Sequence, residues 1–571
     1  MSHKSPAQLR SEAIDILEDL KGKEKIRTKD RLAIPQQEMP SQDPHARGRN
    51  MFEVTYGYFE EQAQVEAARC LQCRNAPCVE GCPVRIDIPR FIQHVADGDY
   101  EGSLAVIRET SLLPSICGRV CPQENQCQEY CTLGKSLKDK FRSVSIGRIE
   151  RFVADWGAGL QGLPEDRLQD EAPLPPSARV SDEEADGEQT GDDAAAFAGS
   201  VSRAIPEVKP ATGKKVAVIG SGPASITVAA DVRREGHDVT IFEAFHKPGG
   251  VMIYGIPEFR LPKKIVEDEL HTLEEMGVEI RTNFLVGQTR KLADLLEKDG
   301  YDAAFIGTGA GLPRFMRIEG ENLVGVFSAN EFLTRSNLMK AYDRDHAETP
   351  IFQPKRVAVF GGGNVAMDAA RTAIRIGSEK VYVIYRRSRV EMPARAEEVD
   401  HAEEEGVEFM LLKNATRIVG DENDRVTGVE IIDFELGEPD DSGRRRPVPI
   451  EGSESMLDVD TVIVSIGNDS NPLISRTTPE LETTKWGNIV TDETGRTSMP
   501  TVFAGGDIVL GAATVILAMG EGRKAAASIN AMLTEAPEKN TREMNEAAGQ
   551  AVDEQSRKTG RRSGPSDPDG E

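Results

Sequence analysis

The spacing of apolar positions along this chain changes near residue 213. From about residue 50 to 155 it is helical: PRFIQHVADGDYEGSLAVIRETSLL repeats apolar residues at intervals of three and four, interrupted at Gly98. SVSIGRIERFVADW continues as a further helix, and residues 1–45 predict a helix followed by a polar, proline-containing arm. From residue 213 onward short apolar runs, such as 216–219, 239–242 and 381–385, alternate with helical stretches. That order predicts parallel sheets with helices on both faces. Residues 158–212 and 536–571 have little to bury. Their Pro, Ser, Gly, Asp and Glu content predicts a disordered linker or insert and a disordered tail.

Composition narrows the class. A chain of 571 residues has room for roughly three or four domains. Hydrophobic residues at 39% and charged residues at 29% suit a soluble enzyme, and no apolar run approaches the roughly 18 residues of a membrane span. A net charge of −26 argues against a nucleic-acid partner, because phosphate contact needs a basic face; it reads as a solvated, self-repelling surface. No targeting segment opens the sequence, and with clustered free thiols the expected compartment is the cytoplasm.

The cysteines carry the first chemistry. All eight fall within 62 residues, as Cys70, Cys73, Cys78 and Cys82 and then Cys117, Cys121, Cys127 and Cys131. Disulfides suit a small secreted domain, which this is not. Zinc remains a rival, since short Cys spacings also build tetrahedral sites. Iron–sulfur ligation is favoured. No histidine is interspersed, both groups contain a Cys-Pro pair, and eight thiolates would hold two 4Fe-4S clusters at four apiece.

Two glycine-rich turns carry the second. In KKVAVIGSGPASITVAADVRREGHDVTIFEA a strand runs into Gly220, Ser221, Gly222, Pro223 and Ala224, a helix follows, and the next strand ends in Glu243. Gly220 permits the tight turn, Gly222 lets backbone approach a pyrophosphate at the helix N-terminus, and Glu243 is placed to accept from a ribose hydroxyl. Ser225 departs from the usual Gly or Ala and predicts a looser helix–strand contact. The bland alternative is a turn with a surface Glu. In RVAVFGGGNVAMDAARTAIRIGSEKVYVIYRRS, Gly361, Gly363 and Ala366 hold the small positions around Asn364, and the second strand ends in Arg386-Arg387. Arginines there suit the 2′-phosphate of NADPH rather than NADH, unless they form a solvated strand end.

Two turns of opposite preference fit a flavoprotein in which NADPH reduces FAD. Gly506 and Asp507 follow a strand, with Asp507 placed for the ribitol, while Thr514 and Val515 open a helix whose N-terminus would stabilise a reduced flavin. The loop EAFHKPGGVMIYGIPEFRLPK, with Gly249, Gly250, Gly255, Pro257 and the candidate Arg260, would pass close to a flat ring, though hairpin turns would also account for it. No ligand spacing links His94, His237, His271 and His401, which read as surface or helix residues. Glu403-Glu404-Glu405 reads as a solvated helix face, and Met392-Pro393 as a loop near the NADPH turn.

Taken together these motifs resemble the glutamate synthase small-subunit family. That family includes the large subunit of the bifurcating ferredoxin–NADP oxidoreductase and is related to the N-terminal part of dihydropyrimidine dehydrogenase. CLQCRNAPCVEGCPVRIDIP, CGRVCPQENQC, IGRIERFVAD, KPGGVMIYGIPEFRLPK and AGGDIVLGAATVILAMGEGR carry the resemblance, over residues 45–535. It implies an α/β chain with an all-helical iron–sulfur domain (46–157) after an N-terminal arm (1–45). Two Rossmann-like domains of the pyridine nucleotide-disulfide oxidoreductase type follow, one for FAD (213–345 and 480–535) and one for NADP inserted in it (346–479). It also implies that the clusters share ligands across the cysteine groups. Cys70, Cys73 and Cys78 would take Cys131; Cys82, Cys121 and Cys127 would be completed by Glu150, leaving Cys117 spare. The simple four-plus-four grouping stands against this.

The resemblance implies an electron-input subunit: NADPH oxidised at FAD, electrons leaving through two 4Fe-4S clusters, no side-chain acid or base required. The amidotransfer machinery of a complete glutamate synthase is missing, so a partner is expected: a glutamate synthase large subunit, or a ferredoxin-reductase-like small subunit with ferredoxin in a bifurcating transhydrogenase. A non-catalytic electron-transfer scaffold is the third reading.

Overall fold

The computed structural model describes residues 4–160, 205–341, 347, 351, 353–440 and 443–534. The expected disordered linker and tail fall mostly or wholly on residues outside this set (161–204 and 535–571), as does the expected boundary at 345/346.

Residues 4–160 hold helices joined by turns and loops, with no strand longer than the isolated Ser41–Thr55 bridge. Ser5 caps the first helix, Pro6–Lys21, in a capping box with Gln8, and Asp87 and Asp99 cap Ile88–Ala96 and Tyr100–Arg108 through their carboxylates. The apolar stripes read from the sequence turn inward: Phe91, Ile92, Val95, Ile107, Ile149 and Val153 are all buried. This core does not close on itself. It is continuous with residues of the first sheet and of the C-terminal helix Val515–Thr534, so the helical part and the first nucleotide fold share one interior.

Two parallel five-stranded sheets follow. The first runs Val502–Ala504, Ala303–Ile306, Lys215–Ile219, Asp238–Phe242, Glu279–Arg281 across the sheet. The second runs Val326–Ser328, Thr461–Val464, Arg356–Phe360, Lys380–Tyr385, Glu408–Leu411. The central strands are near-continuous apolar runs because helices cover both faces. The second sheet takes its edge strand from 326–328, upstream of the expected boundary at 346, so the two folds exchange chain earlier than the sequence suggested. An antiparallel layer, Lys413–Gly420 with Val426–Pro439 and Arg445–Pro449, has no counterpart among the sequence expectations. No helix among the described residues is long and apolar enough to cross a membrane.

Candidate functional site

The first glycine turn is built by backbone contact. Gly220 adopts φ +92°, and a Cβ there would lie 2.6 Å from the Gly307 carbonyl oxygen. Nothing lies within 4 Å of where a Cβ on Gly222 would sit, and no side chain caps the helix Pro223–Arg234 that begins beside it. Free helix N–H groups thus face open space of the kind a phosphate fills. Glu243 is buried and joins the turn itself: Ser221 Oγ donates to it, and Phe245 N–H donates at 2.8 Å. Ser221 Oγ also accepts from Gly249 N–H at 2.9 Å, which folds the loop at Gly249-Gly250 onto the turn. A side chain at Gly250 would press 3.0 Å from Gly222 Cα. The expected loosening at Ser225 does not occur. Ser225 is fully buried and seated against Gly307, where any side chain would collide with its hydroxyl.

Across the sheet Gly506 (φ +76°) packs beside Ala224. Asp507 accepts from Ala513 N–H at 3.2 Å, and burial pushes its carboxyl up to about 6. Thr514 caps the helix that starts at Val515 by accepting from Leu517 N–H at 3.3 Å, and it accepts from Gln126 Nε2 of the cysteine-rich segment at 3.3 Å.

The second turn repeats the plan. Gly361 lies against Ser465 backbone, Gly362 against the Tyr385 ring, and Gly363 opens the uncapped helix Asn364–Arg375 with only Pro393 near it, 3.9 Å away. Asn364 Oδ1 accepts from Arg395 N–H at 2.9 Å and Ala394 N–H donates to Gly362 O at 3.1 Å, so the Met392-Pro393 loop closes on the turn. Ala366 is fully buried at the helix–strand contact. The arginine pair divides. Arg386 is exposed with no hydrogen bond or ion pair to a described residue, whereas Arg387 is buried and committed to Asp440 at 2.8 Å and the Arg445 carbonyl at 2.8 Å. Of the two, only Arg386 is available to a 2′-phosphate.

The cysteines gather in two places, and the four-plus-four grouping by sequence does not hold. Cys70, Cys73 and Cys78 line one cavity of about 20 Å³ with Cys131, walled by Pro77, Ile88, Ile92, Leu133 and Ile146. Cys82, Cys117, Cys121, Cys127 and Glu150 form the other group: the charge of Glu150 acts on Cys82, Cys121 and Cys127, and Cys117 bonds Cys121. Burial pushes the Cys70 and Cys82 thiols up to about 11 and the Cys78 thiol to about 12. Such thiols become thiolates only when a cationic centre compensates them. Glu150 is fully enclosed, burial pushes its carboxyl up to about 8, and its Oε1 has no hydrogen-bond partner. An orphaned buried oxygen beside these thiols is a donor that a cationic centre could satisfy. Cys117 belongs to this group through Cys121, and its Sγ also lies 3.6 Å from Met519 Sδ. Among the described residues no three His, Cys, Asp or Glu side chains are placed to hold a single metal ion.

Two family models match the chain. Residues 214–522 match the family "Pyridine nucleotide-disulphide oxidoreductase", and residues 47–161 match "Dihydropyrimidine dehydrogenase domain II, 4Fe-4S cluster". The chain is 35% identical to the glutamate synthase [NADPH] small chain of Azospirillum brasilense, over 87% of this chain and 94% of that one. It is 32% identical to the corresponding small chain of Halomonas elongata, over 87% and 96%. The chain belongs to the glutamate synthase small-chain family. As a member it is an NADPH-dependent FAD oxidoreductase with 4Fe-4S clusters. It is also 40% identical to the NADP(+)-dependent formate dehydrogenase subunit beta of Moorella thermoacetica, over 80% of this chain but only 60% of that longer protein.

Within this family member the structure corrects three further sequence expectations. Arg260 touches neither glycine turn. It is buried and paired with Asp368 of the second turn's helix at 2.7 Å and with Glu398 at 3.2 Å. It thereby ties the loop that packs on the first turn to the helix of the second. In the Glu403–405 run Glu403 and Glu404 are exposed as expected, but Glu405 is enclosed by Arg47, Arg371 and Arg375 at 2.9, 2.8 and 2.6 Å; Glu404 pairs with Arg47. His237, expected at the surface, is buried with Nδ1 2.6 Å from Thr212 Oγ1. The partners come from elements distant in sequence, so no local pattern announced them. Sequence reasoning also missed the residues that join the two chemistries: Gln126 on Thr514, Met519 on Cys117, and Gly520, where a Cβ would lie 3.1 Å from the Pro83 carbonyl oxygen.

Proposed function

We propose that the chain is the electron-input subunit of a glutamate synthase, taking electrons from NADPH and delivering them to a separate large chain that converts glutamine and 2-oxoglutarate to glutamate. One observation carries the reading: the helix Val515–Thr534 serves both chemistries. Its Gly522 lies on Ala224 of the first glycine turn, and its Met519 and Gly520 lie on Cys117 and Pro83. When bound, FAD accepts hydride and releases single electrons, and the 4Fe-4S clusters carry single electrons onward.

In this reading the chain binds and positions. Gly220, Gly222, Pro223 and Ala224 receive the FAD pyrophosphate on the helix N-terminus, and Glu243 orients a ribose. Gly249 and Gly250 give the flavin room, while Gly506, Asp507, Thr514 and Val515 hold its ribityl and pyrimidine side. Gly361, Gly363, Asn364 and Ala366 receive NADPH, with Arg386 on the 2′-phosphate. Cys70, Cys73, Cys78 and Cys131 hold one cluster; Cys82, Cys121, Cys127 and Glu150 hold the other, nearer the flavin-side helix. The protein works in the cytoplasm, where thiols stay reduced.

Anaerobic reduction of an artificial dye by NADPH tests the input half, and glutamate formation on reconstitution with a large chain tests the output half. Dye reduction absent from protein loaded with flavin and iron would leave only a scaffold. The likeness to the formate dehydrogenase beta subunit favours a second reading, in which the same input serves a different oxidoreductase partner. Productive turnover with ferredoxin plus NADH, and none with glutamine plus 2-oxoglutarate, would select the bifurcating form instead.

A further inference from the structure

Around the Cys70/Cys73/Cys78/Cys131 cavity the sign of the surface reverses. The chain carries −26 overall, yet the segment 129–142 (EYCTLGKSLKDKFR) holds Lys135, Lys138, Lys140 and Arg142 against Glu129 and Asp139, and Arg74 directly follows Cys73. All five cations are exposed, and none pairs with a carboxylate of a described residue. Asp139 is occupied in capping Phe141 N–H at 2.9 Å. Two aromatic rings stand out with them: Tyr130 at 44% and Phe141 at 56% exposure, with Lys135 5.6 Å above the first and Lys140 5.4 Å above the second. Cys131 follows Tyr130 directly and lines the cavity, while Cys73 and Cys78 at the cavity are half-buried.

A self-repelling surface offers no reason to collect unpaired cations at one place, and exposed rings beside them are the usual anchors of a protein contact. We propose that this patch is the exit dock for an acidic redox protein. A carrier with a negative face would be steered to the cavity and held by weak contact around Tyr130 and Phe141, the size class of transient electron-transfer encounters. The inference rests on the input half of the electron-input reading, with Cys70, Cys73, Cys78 and Cys131 holding the outer cluster, and takes a small acidic carrier rather than the large chain as the acceptor at this face. The balance is simple: two electrons arrive per NADPH, and each carrier molecule leaves reduced by one electron.

The sign of the salt effect decides it. Total charge alone would repel an acidic carrier, so added salt would speed their encounter; a local basic dock makes salt slow it. The probe is a purified acidic ferredoxin, reduced by the NADPH-loaded holoenzyme. Raising salt from about 0.05 to about 0.5 M should cut the second-order rate roughly tenfold or more. In the triple variant Lys135→Glu/Lys138→Glu/Arg142→Glu, all surface positions, that rate should fall at least about tenfold at low salt while NADPH-to-dye reduction is unchanged. A flat or rising salt profile, or a variant as fast as the parent, overturns the dock. So does a shortened chain lacking the acidic residues 162–203 that gains a salt dependence absent from the intact protein, since the patch would then belong to that segment. Sedimentation of a dimer that the triple variant abolishes would assign the patch to a second copy and overturn it too. Loss of NADPH-to-dye reduction in the parent holoenzyme is a different failure: it removes the electron-input reading, and this inference with it.

Discussion

Replacing Gly522 with Ala probes how tightly the flavin side is built. A Cβ there would lie 2.5 Å from the Ala224 carbonyl oxygen, about 0.9 Å inside the 3.4 Å at which ordinary van der Waals contact begins. The obstacle is backbone in the first turn of a helix, so it has no rotamer to yield. Alanine adds up to about 1 kcal/mol of helix propensity, but overpacking of this kind costs about 1–3 kcal/mol. The overpacking term wins, and the helix Val515–Thr534 must lift by most of an ångström from the first glycine turn. If the cost falls on the FAD site, binding weakens roughly 5- to 150-fold. Flavin retained after gel filtration and the NADPH-to-dye rate read this out. Gly520→Ala is the control, because its Cβ would stop 3.1 Å from the Pro83 carbonyl oxygen, only about 0.3 Å short, and on the cysteine side of the same helix. It should keep its FAD and slow only transfer toward iron. A Gly522→Ala protein with parental flavin content and dye rate would refute the reasoning.

Further outcomes follow from single contacts. Arg386→Ala should raise the KM for NADPH roughly tenfold or more and leave NADH unaffected, whereas Arg387→Ala should lower the unfolding temperature, since its guanidinium is spent on Asp440. Cys117→Ser should retain its full iron complement, while Cys131→Ser and Glu150→Ala should each lose or alter one cluster by iron analysis and electron paramagnetic resonance. Burial opposes the charge of Glu398, but Arg260 and Arg371 outweigh it and hold the carboxyl down to about 2. Its folded value lies below its unfolded one, so its stabilisation is complete above the normal carboxylate range and is lost as pH falls toward 2. Glu398→Gln should lower stability at pH 7 by about 3–5 kcal/mol and flatten the acid limb of a thermal-unfolding profile.

What the sequence revealed, and what it withheld, follows from how local each signal is. The two glycine turns were legible because a strand, a turn and a helix fix their geometry within thirty or so residues, and the buried valine runs marked the central strands. The cysteine grouping was half legible. Spacing counted eight thiols, but chain order alone put Cys131 with the wrong set, because the fold returns it to Cys70 across the four helices between them; only the family resemblance placed it with Cys70. Arg387 and Arg260 looked like free cations since their carboxylates, Asp440, Asp368 and Glu398, lie on elements that no pattern near them announces. Glu405 misled for the same reason: one acidic residue on a charged helix looks solvated until three arginines from elsewhere surround it. The edge strand 326–328 is too short for periodicity to declare.

The placement of the helix Val515–Thr534 at the far end of the chain bears on how the protein is born. The ribosome finishes the cysteine segment about 390 residues before it reaches Met519. At about 5–20 residues per second, that gap lasts roughly 20–80 s. Throughout it Cys117 and Pro83 lack the neighbour that later covers them, and the first nucleotide sheet lacks its strand 502–504. The contacts that join the cysteine segment to the first nucleotide fold therefore form only once the last helix has been made.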